Sequence, residues 1–130
     1  MNMEKKKKIL VVDDNQSFIQ LMEMSFSKEF DIIEALDGEE GLKKAIAEKP
    51  GIILIDIMMP KVSGIEMLRN LLAEPETKSI PVIVLTAYNF DSNIRTLFEQ
   101  ESNVKGFLQK TCDLNTLRKN IHTALKAAGG

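Results

Sequence analysis

The chain has 130 residues, 44% hydrophobic and 28% charged, with a formal net charge of −2. That length supports one domain burying roughly two-thirds of its unfolded surface, and the near-balanced charge favours neither nucleic acid nor a membrane surface as partner. The single cysteine, Cys112, excludes an internal disulfide and fits a reducing cytoplasm, and with only one histidine there is no zinc-type ligand cluster.

In chain order, Lys5 to Lys8 read as a solvated basic tail. The four apolar residues after it are too few for a signal peptide, and no apolar run reaches membrane-spanning length, so no membrane insertion is expected. Ile9-Leu10-Val11-Val12 has lost the polar/apolar alternation of a half-wet strand, which marks burial on both faces, and it ends in Asp13-Asp14. Phe18, Ile19, Met22 and Phe26 then follow helical spacing behind Asn15, a residue type that caps helices. The second strand is Asp31–Ala35. Asp37-Gly38-Glu39-Glu40 is a capping-box arrangement opening a helix that stops before Pro50-Gly51.

Ile52-Ile53-Leu54-Ile55 repeats the buried-strand pattern and also runs directly into a carboxylate, Asp56. Ile65, Leu68 and Leu72 mark a third helix, with Ser63-Gly64 ahead of it and Pro75 near its end. Val82–Thr86 is the fourth strand, Ile94, Leu97 and Phe98 mark a short fourth helix, and Lys105–Gln109 is the fifth strand. The last helix, starting after Asp113, carries the clearest stripe: Leu114, Leu117, Ile121, Leu125 and Ala128.

Strands alternating with helices imply βαβ units, hence a parallel sheet covered on both faces. The expected fold is α/β: a flavodoxin-like doubly wound (βα)5 sandwich with strand order 2-1-3-4-5, one domain over 1–130 with a basic tail at 1–8 and a core at about 9–128. The first and third strands are then neighbours about 4.8 Å apart. Asp13, Asp14 and Asp56 meet at their carboxyl ends, placed to share a cation, with Asp56 a candidate nucleophile. Thr86 and Lys110 end the next two strands at the same edge.

Val12-Asp13-Asp14, Ala35-Leu36-Asp37-Gly38, Asp56-Ile57-Met58-Met59-Pro60, Ser63-Gly64, Leu85-Thr86-Ala87 and Phe107-Leu108-Gln109-Lys110, in this order, resemble the receiver domain of two-component response regulators. The resemblance covers essentially the whole chain, from Ile9 to about Ala128. It implies a signalling module whose only chemistry is autocatalytic phosphotransfer and self-dephosphorylation, not a metabolic enzyme. Asp56 would be the phosphoacceptor, attacking a phosphohistidine on a sensor histidine kinase or histidine phosphotransfer protein. Mg2+, with Mn2+ as a substitute, would be held by Asp13, Asp14, Asp56 and the backbone carbonyl of Met58. Mg2+ suits all-oxygen ligands, and together with Lys110 it would balance the three carboxylates.

The resemblance further implies that Thr86 and Lys110 meet the phosphoryl oxygens. Thr86 and Phe107 would be the switch residues, remodelling a face of the fourth helix, fifth strand and fifth helix, with Phe90 part of it. A downstream protein or attached output domain would read that face, with no direct nucleic-acid contact. Met58 and Tyr88 hold the two positions that tune phosphoryl lifetime. Both are bulky and neither carries a carboxylate or amide to orient water, so slow self-dephosphorylation is expected.

Other readings meet specific obstacles. A degenerate receiver, acting as an interaction module without phosphorylation, would not need the intact acidic pair, acceptor, Thr86 and Lys110. An aspartate-nucleophile phosphatase usually needs a second acid two residues beyond the nucleophile, where Met58 stands. A flavodoxin-like cofactor binder needs a phosphate-cradling loop after the first strand, where this chain is acidic.

The chain departs from the family pattern at four places. Thr111 replaces the proline that usually follows the lysine, and a trans Lys110–Thr111 bond is expected because a cis non-proline bond costs about 3–4 kcal/mol. Gly41 replaces alanine, at a cost to its helix of about 1 kcal/mol. Gly51 replaces aspartate, with an effect expected only at the start of the third strand. Asn103 replaces glycine, and Asn tolerates left-handed backbone better than most residues. His122 is expected on the surface, and most methionines apart from Met58 in the core.

Overall fold

The computed structural model describes residues 6–57, 63–87 and 92–128, without the side chains of residues 92 and 94. The strands are β1 (Lys7–Val12), β2 (Phe30–Ala35), β3 (Ile52–Asp56), β4 (Val82–Thr86) and β5 (Val104–Gln109). They alternate with α1 (Gln16–Phe26), α2 (Gly38–Glu48), α3 (Gly64–Ala73), α4 (Ser92–Glu99) and α5 (Leu114–Ala127). All pairings are parallel, in the order β2-β1-β3-β4-β5. This is the expected doubly wound sandwich.

The unbroken apolar strands follow from the two-sided cover. Successive side chains of a strand point to opposite faces. Ile9, Val11, Ile52, Leu54, Ile83 and Leu85 therefore pack with Ile19, Met22 and Phe26 of α1 and with Leu117, Ile121 and Leu125 of α5. Their neighbours Leu10, Val12, Ile53, Ile55, Val82 and Val84 pack with Ala45 of α2, Met67, Leu68 and Leu71 of α3, and Phe98 of α4. A polar residue within β1, β3 or β4 would face one core or the other, so carboxylates and hydroxyls appear only at the strand ends.

Three local readings are revised by packing. β1 begins at Lys7, because ladder pairing with Phe30 and Asp31 continues past the apolar run; Lys8 there pairs with Glu48 at 3.1 Å. The buried stripe of α3 is Met67, Leu68 and Leu71, while Ile65 and Leu72 are only partly buried. In α5, Ala124 is buried and Ala128 exposed. Among the described methionines Met22 and Met67 are core residues, but Met24 is 82% exposed.

Gly41 is more than a weak helix former. A Cβ there would lie 2.8 Å from Met67 Cε and 3.0 Å from both Val12 methyls, so α2 packs close against β1 and α3, and an added methyl would require the flexible Met67 tip and Val12 to give way. Gly51 is likewise tight, a Cβ meeting Leu125 Cδ2 at 3.2 Å, so its effect reaches α5. Asn103 has no left-handed backbone: Lys49, at the end of α2, is the sole positive-φ non-glycine among the described residues. Asn103 is instead 3% exposed, and its Nδ2 reaches Leu68 O at 3.5 Å.

The caps follow the sequence with one variation. Asn15, Asp37, Ser63 and Asp113 each accept from the backbone N–H three residues on, as N-caps do. Glu40 reaches back to Leu36 N at 2.7 Å, one residue before the cap. That bond, followed by the Lys44 ammonium, holds the Glu40 carboxyl below its ordinary value of 4.5.

A lowered folded-state value means the bond's stabilisation is present above pH about 4.5 and is lost as pH falls through the folded value. Glu40→Gln keeps an oxygen for Leu36 N but removes the titration. The variant is expected to lose stability less steeply than the parent in urea unfolding below pH 4.5. Identical acid limbs would refute that role.

Candidate functional site

The ladder register builds the site. Val12 pairs with Ile55, so Asp13 and Asp56 leave β1 and β3 side by side. Asp56 pairs with Leu85 of β4, and Thr86 with Gln109 of β5, which places Lys110 immediately beyond. One oxygen each from Asp13, Asp14 and Asp56 lies within 4.8 Å of the others. Asp13 is 1% exposed, Asp56 7% and Thr86 fully buried, while Asp14 faces solvent.

Lys110 is held at both ends. Its backbone N–H donates to Thr86 O at 2.7 Å. Its Nζ lies 2.5 Å from Asp13 Oδ2 and 3.6 Å from Asp56 Oδ2, with the side chain 14% exposed. The Asp13 contact is the shorter of the two and supplies the counter-charge to that buried oxygen. Asp13 Oδ1 accepts from Asn15 N at 2.9 Å. The Lys110–Thr111 bond is trans, as no described peptide bond is cis, and the ammonium reaches both carboxylates without a proline behind it.

Gly64 sets the approach of α3 to the end of β3. Its N–H donates to Ile57 O at 3.2 Å, and a Cβ would lie 3.0 Å from both Asp56 O and Ile57 Cα. Backbone atoms cannot swing aside as a side-chain tip can. Gly64→Ala is expected to lower stability by about 1–3 kcal/mol, the usual cost of overpacking, and to shift the Asp56 amide resonance. Parent-like stability in urea with an unshifted Asp56 amide would show the contact to be slack.

Phe107 is buried, 5.9 Å from the Phe98 ring, with the Arg95 guanidinium 5.6 Å over its face. Its ring is thus inward here. In α4, Leu97 is 43% exposed and Phe98 is the buried anchor among the described side chains, against four buried residues in α5. His122 is on the surface, 3.2 Å from Glu29. The Glu29 carboxyl is held below its ordinary value chiefly by the hydrogen bond from Arg118. Cys112 is partly buried, and desolvation raises its thiol pKa. Met58, Tyr88 and Phe90 lie outside the described residues.

Two contributors escaped the sequence reading. Asn15 has the sequence signature of a cap alone, yet its N–H also anchors Asp13. Phe18 falls on the core stripe of α1 by spacing, yet its ring centroid is 4.6 Å from Lys110 Nζ. Its place in the first turn after Asp13-Asp14 was the available signal.

The response regulator receiver domain family matches residues 9–122, and the chain belongs to that family. The alkaline phosphatase synthesis transcriptional regulatory protein PhoP of Bacillus subtilis is 45% identical over 82 residues, 62% of this chain and 33% of its own length. This chain therefore spans about a third of that relative. PilH of Pseudomonas aeruginosa is 31% identical over 119 residues, 91% of this chain and 97% of PilH. In structure, the chemotaxis protein CheY4 of Vibrio cholerae matches with a TM-score of 0.83 and 25% identity, covering 92% of this chain and 98% of CheY4. Among the described residues, no helix is long and apolar enough to cross a membrane.

Proposed function

We propose that this receiver domain, taken as one unit over the whole chain, is phosphorylated on Asp56 by a histidine kinase or histidine phosphotransfer protein. An Asp56 oxygen forms a bond to phosphorus as the P–N bond of the phosphohistidine breaks and the imidazole leaves. The observation that supports this most directly is Lys110, with its ammonium 2.5 Å from Asp13 and 3.6 Å from Asp56 inside an acidic cluster. A site built only to bind a cation would gain nothing from a fixed cation of its own. A site that must accept a phosphoryl group's added charge does.

The donor set fits Mg2+: three carboxylates converge, each offering an oxygen within 4.8 Å of the others. Asp13, Asp14 and Asp56 would hold the ion, with the Met58 carbonyl a fourth donor, and the bound ion would supply charge neutralisation for the carboxylates and the transferring oxygens. Thr86, on the strand between Asp56 and Lys110, would offer its hydroxyl to a phosphoryl oxygen. Thr86 and Phe107 would then bias the face of α4, β5 and α5 toward a state that a partner protein or output domain reads. Met58 and Tyr88 would slow self-dephosphorylation by offering no group to orient water.

Incubation with acetyl phosphate and Mg2+, followed by intact-mass measurement and peptide mapping, tests this reading. One phosphoryl group on Asp56, absent when Mg2+ is chelated, is the expected outcome. No adduct, or an adduct at another residue, would sink it.

A further inference from the structure

We infer that Phe18 is a positioning residue for Lys110: its ring face forms the wall that keeps the ammonium between the Asp13 and Asp56 carboxylates. The inference rests on the phosphoacceptor reading for its consequence, but the geometry stands by itself. Lys110 Nζ sits 4.6 Å from the Phe18 ring centroid, within the range of cation–π attraction. The same Nζ lies 2.5 Å from Asp13 Oδ2. The ammonium thus contacts both a carboxylate and the negative face of an aromatic ring, with little water to screen either, the side chain being 14% exposed.

The wall is rigidly tied to the acidic pair. Phe18 N donates to the Asn15 side chain at 3.2 Å, and Asn15 N donates to Asp13 Oδ1 at 2.9 Å. Asp13 and the ring therefore belong to one hydrogen-bonded turn, anchored below by the packing of Phe18 on the α1–α5 core. This arrangement bears on the trans bond before Thr111. Backbone geometry there leaves a long, flexible side chain to find its target, and the ring narrows its choices. Moving from Asp13 toward Asp56, whose Oδ2 is already 3.6 Å away, requires a short swing of the ammonium.

Phe18→Leu keeps apolar bulk and removes the π face, whereas Phe18→Tyr keeps the face. In the full chain, the Lys110 ε-methylene protons should resonate upfield of the other lysines through the ring current. Phe18→Leu should abolish that shift and slow phosphorylation by acetyl phosphate roughly 3- to 30-fold, the worth of a partly to fully desolvated cation–π contact. Phe18→Tyr should retain both.

An ordinary Lys110 shift in the parent, a parent-like rate in Phe18→Leu, or equal slowing in both variants would overturn the inference. Equal slowing would mean that Phe18 acts only through packing. If the parent itself takes up no phosphoryl group, the proposed function fails, and the ring-current shift and its loss in Phe18→Leu still decide whether the ring holds the ammonium.

Discussion

Asp56→Asn is expected to bring phosphoryl uptake from acetyl phosphate below detection while raising stability in the absence of divalent ions. Loss of uptake follows if Asp56 is the nucleophile, since an amide oxygen carries no charge with which to attack phosphorus. The gain in stability follows from the crowding. Asp56 is 7% exposed, and its carboxylate shares a 4.8 Å cluster with two others, with Lys110 the cation beside it among the described residues. At the effective dielectric of a protein surface, each like-charge pair at that spacing costs about 1–3 kcal/mol. The attraction to Lys110 at 3.6 Å offsets only part of this. A net stabilisation on the order of 1 kcal/mol is therefore expected in urea unfolding with a chelator present. Uptake undiminished in the variant, or a less stable variant, would contradict the assignment.

Lys110→Met should have the opposite effect on stability. The substitution keeps most of the stem but leaves Asp13, 1% exposed, without its counter-charge. Removing one partner of a buried ion pair typically costs about 3–5 kcal/mol; here about 3 is expected, because Asp14 faces solvent and Lys110 retains some exposure. Millimolar Mg2+ should restore more stability to the variant than it adds to the parent, since it then balances three carboxylates with no ammonium beside them. Urea midpoints with and without Mg2+ give the comparison. An undiminished metal-free midpoint, or equal Mg2+ increments in both proteins, would show that Lys110 does not carry the charge balance.

The fold was legible because its sheet is covered on both sides. Ile9–Val12, Ile52–Ile55 and Val82–Leu85 have no polar residue to confuse their ends, so the first charges beyond β1 and at the end of β3, and the Thr86 hydroxyl at the end of β4, marked the edge directly. Helical faces were less legible. Ile65, Leu68 and Leu72 fit a helical spacing as well as Met67, Leu68 and Leu71 do, and only the packing of α3 shows which set is buried, with Met67 Cε lying close over Gly41.

Asn103 misled because its likeness to a turn-former concealed a buried side chain reaching toward α3. Phe18 could not be separated from its stripe by periodicity. A residue at the first turn of a helix can face both the core and the sheet edge, and only the position of Lys110 reveals the second contact.

The hydrogen bond from Lys110 N–H to Thr86 O has a kinematic consequence. Thr86 ends β4 and Lys110 follows β5, yet the link runs through their own backbones and is only 2.7 Å long. If Thr86 is drawn toward an incoming phosphoryl group, as the proposed function requires, this bond would carry the root of Lys110 with it. Altering both residues should then cost phosphoryl uptake less than the two single changes added together, because either change would already blunt that shared motion.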